Sequence, residues 1–344
     1  MLEAARDVLA GKEAWVVGGA VRDELLGREL VDLDIACRKP EAVARAYARR
    51  SGGAPFPLSE RHGAWRVALA NGRTVDFTPL QTKIEDDLAT RDFTINAIAR
   101  PLGGGDPVDP FGGQEDLAAR RLQAVRESVF RDDPLRLLRA VRLEDELDLR
   151  LDSETERLVR EHAARVTEPA GERILGELRR LSSGGYRRLD DLGLLEPLGG
   201  RIEDRLDRVD SSDYRLVAAF GEGVRRFPVS NELRRYARSL LTAEPPPDDS
   251  PRAIFRFRRA TEPWAFDALA FVGAQSLSGA LLEARASDPD EPLLRGDELG
   301  LPPGPEIGRL LAEIEEERAA GTIATKEEAL DYARRNAGAV RKNG

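Results

Sequence analysis

The stretch VVGGAVRDELLGRELVDLDIA, residues 16–36, decides the fold. Its last part, LVDLDIA, alternates like a buried strand, yet it places Asp32 and Asp34 on one face and Leu33 and Ile35 on the other. Two carboxylates roughly 7 Å apart on one face repel each other unless something positive lies between them. We therefore expect this face either to meet water or to bind a cation.

A third carboxylate comes from a predicted hairpin. The strands AWRVALA (64–70) and RTVDFTPL (73–80) flank Asn71-Gly72, a strong turn signal. Alternation points Asp76 away from the apolar face of its strand. If this strand lies beside LVDLDIA, three aspartates converge, and three hard oxygen donors on rigid strands suit one or two Mg²⁺ ions. The alternative is a set of polar residues on an edge strand.

A glycine pair stands between the predicted strand AWVV (14–17) and a predicted helix that Gly27 closes. Gly18 and Gly19 let the backbone approach a phosphate, and Arg22 in the first helical turn is placed to bind the same phosphates. A glycine turn alone is a weak signal, and the dinucleotide pattern G-x-G-x-x-G is absent. Together with the two aspartates it predicts a site for a metal-bound triphosphate.

The wider pattern predicts an α/β head followed by a long helical remainder. The head contains the strands above, a helix ending at Gly52 and a helix over 84–99, with neighbouring strands partly antiparallel. The connector PLGGGDPVDPFGG (101–113) ends it. Helical spacing then dominates, in segments 132–147, 153–166, 171–181 and 186–198, and a second breaker, AEPPPDDSP, covers 243–251.

Composition excludes several kinds of site. The 344 residues contain one cysteine, Cys37, and two histidines, so neither an internal disulfide nor a metal site rich in cysteine or histidine can form. No run of about 18 apolar residues predicts a membrane span. The net charge of −9 argues weakly against a nucleic-acid partner, although local patches decide binding. A reducing cytoplasm fits this composition.

Five motifs in order resemble one family. The segment 18–36 is similar to the first motif of class II tRNA nucleotidyltransferases and bacterial poly(A) polymerases, the family of CCA-adding enzymes. The others are RDFTINAIA (91–99), DPFGG with a following DL (109–117), DDPLRLLRAVRL (132–143) and GERILGELRRL (171–181). LLRGDELGLPPGPEIGRLL (293–311) looks like the family's tail, and the resemblance is weakest over 201–290.

The resemblance implies a fold and an activity. It implies a polymerase-beta-like nucleotidyltransferase head with a mixed sheet over 1–113, a helical neck with a base-reading helix over 114–200, and a helical body and tail that bind tRNA over 201–344. It implies an Mg²⁺-dependent enzyme that extends the 3′ end of tRNA without a nucleic-acid template. The partners would be tRNA and CTP, with ATP as a further candidate substrate; the oligomeric state stays open.

The resemblance also assigns roles by position. The metal-binding catalytic pair would be Asp32 and Asp34, with Asp76 as the auxiliary carboxylate. The incoming nucleotide would be bound by Gly18, Gly19, Arg22, Arg91, Asp92, Asn96, Asp133, Arg136 and Arg139. Within that set, Asp133 and Arg136 match a motif that reads the base, since a carboxylate accepts hydrogen bonds and a guanidinium donates them. The alternative for Asp133, before Pro134, is a helix N-cap.

Three departures from the family pattern bear on the product. Asp132 replaces a glutamate, Thr90 replaces an arginine that contacts phosphate, and only QTKIEDDLAT (81–90) stands where CCA-adding members carry a longer basic loop. In this family that loop is associated with switching from CTP to ATP, so its shortness favours the CC-adding subgroup. Full CCA addition, A addition and poly(A) synthesis are the alternatives with the same chemistry. A non-catalytic RNA-binding protein and a small-molecule nucleotidyltransferase are the alternatives of another class.

A basic and aromatic segment, PRAIFRFRRA (251–260), is a candidate for RNA contact. Phosphate contact combined with stacking would suit RNA. The predicted contacts are Arg252, Arg256, Arg258 and Arg259. The alternative is a helix that packs its aromatic side chains inward and carries the arginines along its edge.

Overall fold

The computed structural model describes residues 1–59 and 63–337. These residues fall into two compact units, Met1–Gly199 and a second one that begins at Gly200. The predicted boundary between head and neck near residue 113 lies inside the first unit. The division of that unit into two functional parts stays a prediction.

The first unit contains a mixed sheet of six strands in the order β3-β4-β5-β2-β1-β6. Only β2 and β5 run parallel; the other neighbours are antiparallel. A pair of two-residue strands, β7 and β8, lies apart from this sheet. The strands are β1 (Ala14–Val17), β2 (Asp32–Cys37), β3 (Ala54–Ser59), β4 (Ala64–Ala68), β5 (Thr74–Pro79), β6 (Ala99–Pro101), β7 (Arg121–Leu122) and β8 (Arg150–Leu151).

Helices make up most of the remaining described chain. In the first unit they are α1 (Leu2–Val8), α2 (Gly19–Leu25), α3 (Pro40–Ser51), α4 (Ile84–Leu88), α5 (Gly113–Ala118), α6 (Val129–Asp132), α7 (Arg136–Leu147), α8 (Ser153–Glu161), α9 (Gly171–Leu178) and α10 (Ser183–Asp191). In the second unit they are α11 (Ser212–Phe220), α12 (Asn231–Leu241), α13 (Pro251–Thr261), α14 (Ala265–Val272), α15 (Ser278–Ala286), α16 (Pro305–Ala319) and α17 (Lys326–Asn336). The predicted α/β head with a mixed sheet and a helical remainder is confirmed.

The alternation along β2 and β5 separates the two faces of the sheet. Leu33, Ile35 and Phe77 are buried against α1 and α3, where Tyr47 closes the layer. The opposite face carries Ala36 near β1, packed with residues of α4. Because side chains alternate along a strand, the aspartates must lie on this second face.

One predicted element of the head is wrong. The helix expected over 84–99 is instead the short α4, a 3₁₀ turn over Thr94–Asn96 and the start of β6. Backbone pairing with segment 123–125 competes with the helix, since Thr94 N–H bonds to the Gln123 carbonyl and Val125 N–H bonds to the Asp92 carbonyl. The pattern did not indicate β3 or β6 either, because β3 contains two prolines and β6 is only three residues long.

The motif DPFGG (109–113) forms a tight turn that leads into α5. The carboxylate of Asp109 accepts hydrogen bonds from the backbone N–H groups of Gly113 (2.7 Å) and Gln114 (2.9 Å) at the start of α5. Gly113 is buried against the Thr94 backbone, and a Cβ placed on it would lie 2.1 Å from the Thr94 carbonyl oxygen. Only glycine fits at this contact.

Replacing Gly113 with alanine should therefore lower the free energy of unfolding by about 2 kcal/mol, because backbone atoms must move to admit the methyl group. Gly103→Ala is the matched control, since a Cβ there meets no atom within 4 Å. Denaturant titration of both variants measures the difference. Equal stability of the two variants would contradict the contact between Gly113 and Thr94.

The second unit is helical throughout its described part. Serine side chains cap three of its helices, with Ser211, Ser230 and Ser250 each accepting a backbone N–H of the first turn. A cluster that includes Leu294 and Ile314 is buried near its C-terminal end. Across residues 1–59 and 63–337, no helix has both the length and the apolar character needed to cross a bilayer.

Candidate active site

Three predicted carboxylates lie on one face of the sheet. The parallel pairing of β2 with β5 sets Asp34 directly opposite Asp76 and Asp32 opposite Thr74. The Thr74 hydroxyl donates to an Asp32 oxygen at 2.7 Å. The convergence predicted from alternation is thus present in the structure, and it depends on the adjacency of β2 and β5.

Asp34 is in an unfavourable position for a charged group. Burial is the main cause that raises its pKa to about 6; the nearby charge of Arg91 opposes this, while Asp76 and Asp32 add to it. A cation at this point would relieve the repulsion between the carboxylates. A shifted pKa of this kind within a cluster of polar groups is typical of a functional site.

Gly18 borders the same carboxylates from the β1 side. It adopts φ +68°, and a Cβ there would lie 2.6 Å from an Arg91 Nη atom and 3.7 Å from an Asp34 Oδ atom. The glycine therefore allows Arg91 to reach the carboxylate row. Arg91 is held from its other side by Asp87, whose carboxylate accepts its Nη2 at 3.0 Å.

Arg66 is a site residue that sequence reasoning missed. It lies opposite Asp76 on β4, and its Nε and Nη2 donate to the two Asp76 carboxylate oxygens, each at 2.7 Å. This bidentate hydrogen bond raises the pKa of the guanidinium. The hairpin could have indicated it, because pairing centred on Asn71 places residue 66 across from residue 76.

The carboxylates fit a divalent cation at Asp32 and Asp34. Both offer hard oxygen donors two residues apart on a rigid strand, and their mutual repulsion calls for positive charge. Asp76 differs, because both of its oxygens accept from Arg66. Among the residues that the structure describes, no group of three or more His, Cys, Asp or Glu side chains is arranged to hold a metal ion. The fit therefore rests on the β2 pair.

A second set of predicted residues forms one buried hydrogen-bond network. An Arg22 Nη donates to Asn96 at 2.8 Å, Asn96 donates to Asp92 at 3.0 Å, and Arg139 Nε donates to the other Asp92 oxygen at 2.8 Å. Arg22 also donates to its neighbour Asp23. The network joins α2, the 3₁₀ turn and α7, so it connects the glycine turn to a helix of the predicted neck.

Asp92 is the centre of this network. Burial by itself would raise the pKa of its carboxyl, but the charge of Arg139 and the hydrogen bonds from Asn96, Arg139 and the Phe93 N–H outweigh burial and lower it. Glu177 on α9 extends the network through ion pairs with Arg139 and Arg142. Glu177 belongs to the quoted motif GERILGELRRL, but its spacing alone did not reveal this role.

The predicted base-reading pair is arranged differently from expectation. Asp133 and Arg136 do not share one helix, because Asp133 has an extended backbone and α7 begins at Arg136. Asp133 accepts the Leu135 N–H at 3.2 Å and pairs with Arg173 at 2.8 Å. The N-cap of α7 is Leu135, so Asp133 precedes the cap and does not occupy the N-cap position that the alternative gave it.

Segment 81–90 is well anchored. Ile84 and Leu88 of α4 are buried, and the Thr90 carbonyl accepts Arg136 Nη2 at 2.8 Å. The Ala89 carbonyl accepts a hydrogen bond from Arg126. Burial lowers the pKa of Arg136. The segment that stands in place of a long loop is thus a short helix tied to a candidate base-reading residue.

The candidate RNA-binding arginines of α13 mostly face acids of their own unit. Arg252 pairs with Glu317 at 2.6 Å, Arg256 pairs with Glu316 at 2.7 Å, and Arg258 forms ion pairs with two acidic side chains. Phe257 is buried. The alternative prediction, a helix that packs aromatic side chains inward, matches this arrangement. Arg259 is exposed, and RNA contact by this helix stays a prediction.

The comparison with known families fits the sheet and its carboxylates. Residues 14–123 match the family model described as the Poly A polymerase head domain. This segment is therefore similar to the head domain of poly A polymerases. The match covers β1 to β7 and so includes the carboxylate row, Gly18, and the Arg22, Asp92 and Asn96 members of the network. The resemblance predicted from the first three motifs is confirmed for this part of the chain.

Curated relatives are similar to about half of the chain. The chain is 46% identical over 193 residues to the A-adding tRNA nucleotidyltransferase of Deinococcus radiodurans, covering 53% of this chain and 44% of that protein. It is 47% identical over 174 residues to the CC-adding tRNA nucleotidyltransferase of Geobacter sulfurreducens, covering 50% and 40%. The aligned chain thus spans less than half the length of these relatives.

The complete fold has a counterpart among solved structures. The Thermotoga maritima CCA-adding enzyme complexed with tRNA matches with a TM-score of 0.76 at 23% identity, over 97% of this chain and 93% of that one. This similarity shows that the chain shares the fold of that enzyme.

Proposed function

We propose that this protein transfers nucleotides from CTP to the 3′ end of tRNA without a nucleic-acid template. The observation that carries the proposal is the row of carboxylates beside Gly18 and Arg91, on a head domain of the poly A polymerase family. Relatives named for nucleotide addition to tRNA are 46% and 47% identical to about half of this chain. An enzyme that acts on tRNA would work in the cytoplasm.

Each group of the site has a chemical task in the proposed reaction. Mg²⁺ bound by Asp32 and Asp34 would offset the negative charge that repels an attacking RNA hydroxyl from the α-phosphate of CTP. Arg91 lies beside Gly18, where it can pair with phosphate oxygens of the bound nucleotide. Asp92, fixed by Arg139 and Asn96, is suited to accept a ribose hydroxyl.

Base selection would use Asp133 and Arg136. Arg173 fixes the first and the Thr90 carbonyl fixes the second, so neither side chain needs to find its orientation when the base arrives. Pre-organised donors and acceptors of this kind discriminate between base edges. Cytosine would be read by protein side chains alone.

We further propose that the product ends at CC. Segment 81–90 contains the short helix α4, anchored by Ile84 and Leu88, and the carbonyl of Thr90 at its end accepts a hydrogen bond from Arg136. This hydrogen bond holds the candidate base-reading arginine in one orientation, which favours one base over a change from CTP to ATP. The relatives carry both CC-adding and A-adding names, so full CCA addition and A addition are the alternative products.

The test uses three tRNA transcripts that end before CCA, after C and after CC. Each is incubated with Mg²⁺ and CTP, ATP or both, and the 3′ ends are sequenced. We expect addition of C to the first two transcripts and no addition to the third, even with ATP. Completion to CCA would reject the CC-adding proposal alone, and addition of A only to the third transcript would assign the other half of the reaction.

A further inference from the structure

The carboxylate row continues across the outer strands of the sheet. Asp34 lies opposite Asp76, Asp76 opposite Arg66, and Arg66 opposite Phe56 of the edge strand β3. Residues opposite each other on neighbouring strands share a face, so all four side chains stand on the same side of the sheet. The edge of the row is therefore an aromatic residue.

Phe56 is an exposed large apolar residue on the edge strand, as is Leu58. Its exposed fraction is 41%, and Pro55 and Pro57 on either side of it lie opposite Val67 and Trp65, on the other face of the sheet. The helix α4 packs on this face near β1 and β2, where Leu88 packs with Ala36. Among the described residues, Phe56 and Arg66 stay accessible on the outer strands, and an aromatic ring beside a guanidinium suits a ligand with both apolar and ionic parts.

The two ends of the row offer different chemistry. Gly18 and Arg91 border Asp34 on the β1 side, where the proposed triphosphate would bind. The reacting RNA end must then approach from the other side, over Asp76 and Arg66. The backbone of Phe56 is three strand spacings from that of Asp34, about 14 Å, and its side chain stands on the same face beside Arg66.

We propose that Phe56 and Arg66 form the binding site of the 3′-terminal nucleotide of the RNA. Phe56 stacks on the terminal base, as exposed aromatic side chains do in binding single-stranded ends. Arg66 bonds to Asp76 through Nε and Nη2, and its remaining N–H groups bind the terminal phosphodiester. The side chain of Arg66 is 34% exposed, so RNA can reach it without breaking the pair.

This binding site explains why the positive charge of Arg66 lies next to the carboxylates. RNA that approached Asp76 alone would meet repulsion between phosphate and carboxylate. Arg66 removes this repulsion while keeping Asp76 in place beside Asp34. The inference rests on the proposed function, because it takes the RNA 3′ end as the ligand of this face.

The experiment measures binding without catalysis. A fluorescent acceptor-stem minihelix that ends before CCA is titrated with wild type, Phe56→Ala and Phe56→Trp in the absence of nucleotide. Loss of one stacked base should raise the Kd of Phe56→Ala about tenfold, and the tryptophan variant should restore it. Leu26→Ala, which truncates an equally exposed apolar side chain after α2 in the first unit, is the matched control and should bind as wild type does.

A second minihelix with an abasic 3′-terminal nucleotide separates stacking from folding. Wild type and Phe56→Ala should bind this RNA with equal Kd, because the partner of Phe56 is gone. A Kd of Phe56→Ala within twofold of wild type on the intact minihelix would overturn the proposed binding site. An equal increase in Kd for both RNAs would overturn it as well. Extension of the intact minihelix by wild type with CTP is followed in parallel, and its failure would reject the proposed function instead.

Discussion

Asp34→Asn is expected to abolish nucleotide addition while making the metal-free protein more stable. The loss in kcat should be at least about a thousandfold, since one of two cation ligands beside the reacting phosphate is removed. Burial beside Asp76 and Asp32 raises the pKa of Asp34 to about 6, so the charged carboxylate opposes folding at neutral pH. Removing that charge should raise the free energy of unfolding by about 1–2 kcal/mol at pH 8 in EDTA, allowing for partial solvent exposure.

The rise in the free energy of unfolding caused by Asp34→Asn should itself increase with pH. The folded state holds the Asp34 proton more tightly than the unfolded state does, so wild-type stability falls as pH rises through the interval between the two pKa values. The gain of Asp34→Asn should be complete above pH 6 and absent below about pH 4. Thermal unfolding at both pH values, with exposed Asp290→Asn as control, measures it. A destabilised Asp34→Asn protein at pH 8 would contradict the electrostatic account of the site.

Arg139→Met should have the opposite effect on stability. Arg139 compensates the buried carboxylate of Asp92, and removal of one partner of a buried pair leaves a charge without compensation. The free energy of unfolding at pH 7 should fall by about 3 kcal/mol. Arg173→Met is the matched control, because its pair with Asp133 is largely exposed and should contribute less than about 1 kcal/mol.

At acidic pH, the free energies of unfolding of wild type and Arg139→Met should differ less than they do at pH 7. The network lowers the pKa of Asp92, so its stabilising effect is present above the ordinary carboxyl pKa and is lost as pH falls through the lowered value. In the variant the buried carboxylate binds a proton more readily. Urea denaturation at pH 7 and pH 4 compares the two proteins; a gap that stays constant with pH would show that Arg139 acts by packing and not through its charge.

The carboxylate site was predictable because its geometry follows from local sequence patterns. Alternation fixes the faces of Asp32, Asp34 and Asp76, and the turn at Asn71-Gly72 fixes the hairpin. Only the adjacency of β2 and β5 had to be assumed. Arg66 was predictable from the same hairpin register, but an arginine on a strand is so often a solvated residue that its pairing with Asp76 did not stand out.

Other parts of the site depend on contacts between distant segments. Segment 91–99 has a helical pattern, but backbone pairing with residues 123–125 and the hydrogen bond from Phe93 N–H to the Asp92 side chain replace the helix. The arginines of α13 looked suited to RNA because their acidic partners on α16 lie about 60 residues further along the chain. Spacing within one segment carries no information about such partners.

The most direct test of the central claim is incorporation of labelled CMP into a tRNA transcript that lacks CCA. Wild type and Asp34→Asn are compared with Mg²⁺, and the same transcript with a 3′-deoxy end serves as the blocked control. We expect wild type to add two CMP residues at the 3′ end of the free transcript, with no addition by the variant or to the blocked RNA. Absence of CMP incorporation by wild type, or undiminished incorporation by Asp34→Asn, would contradict a nucleotidyltransferase site at the β2 carboxylates.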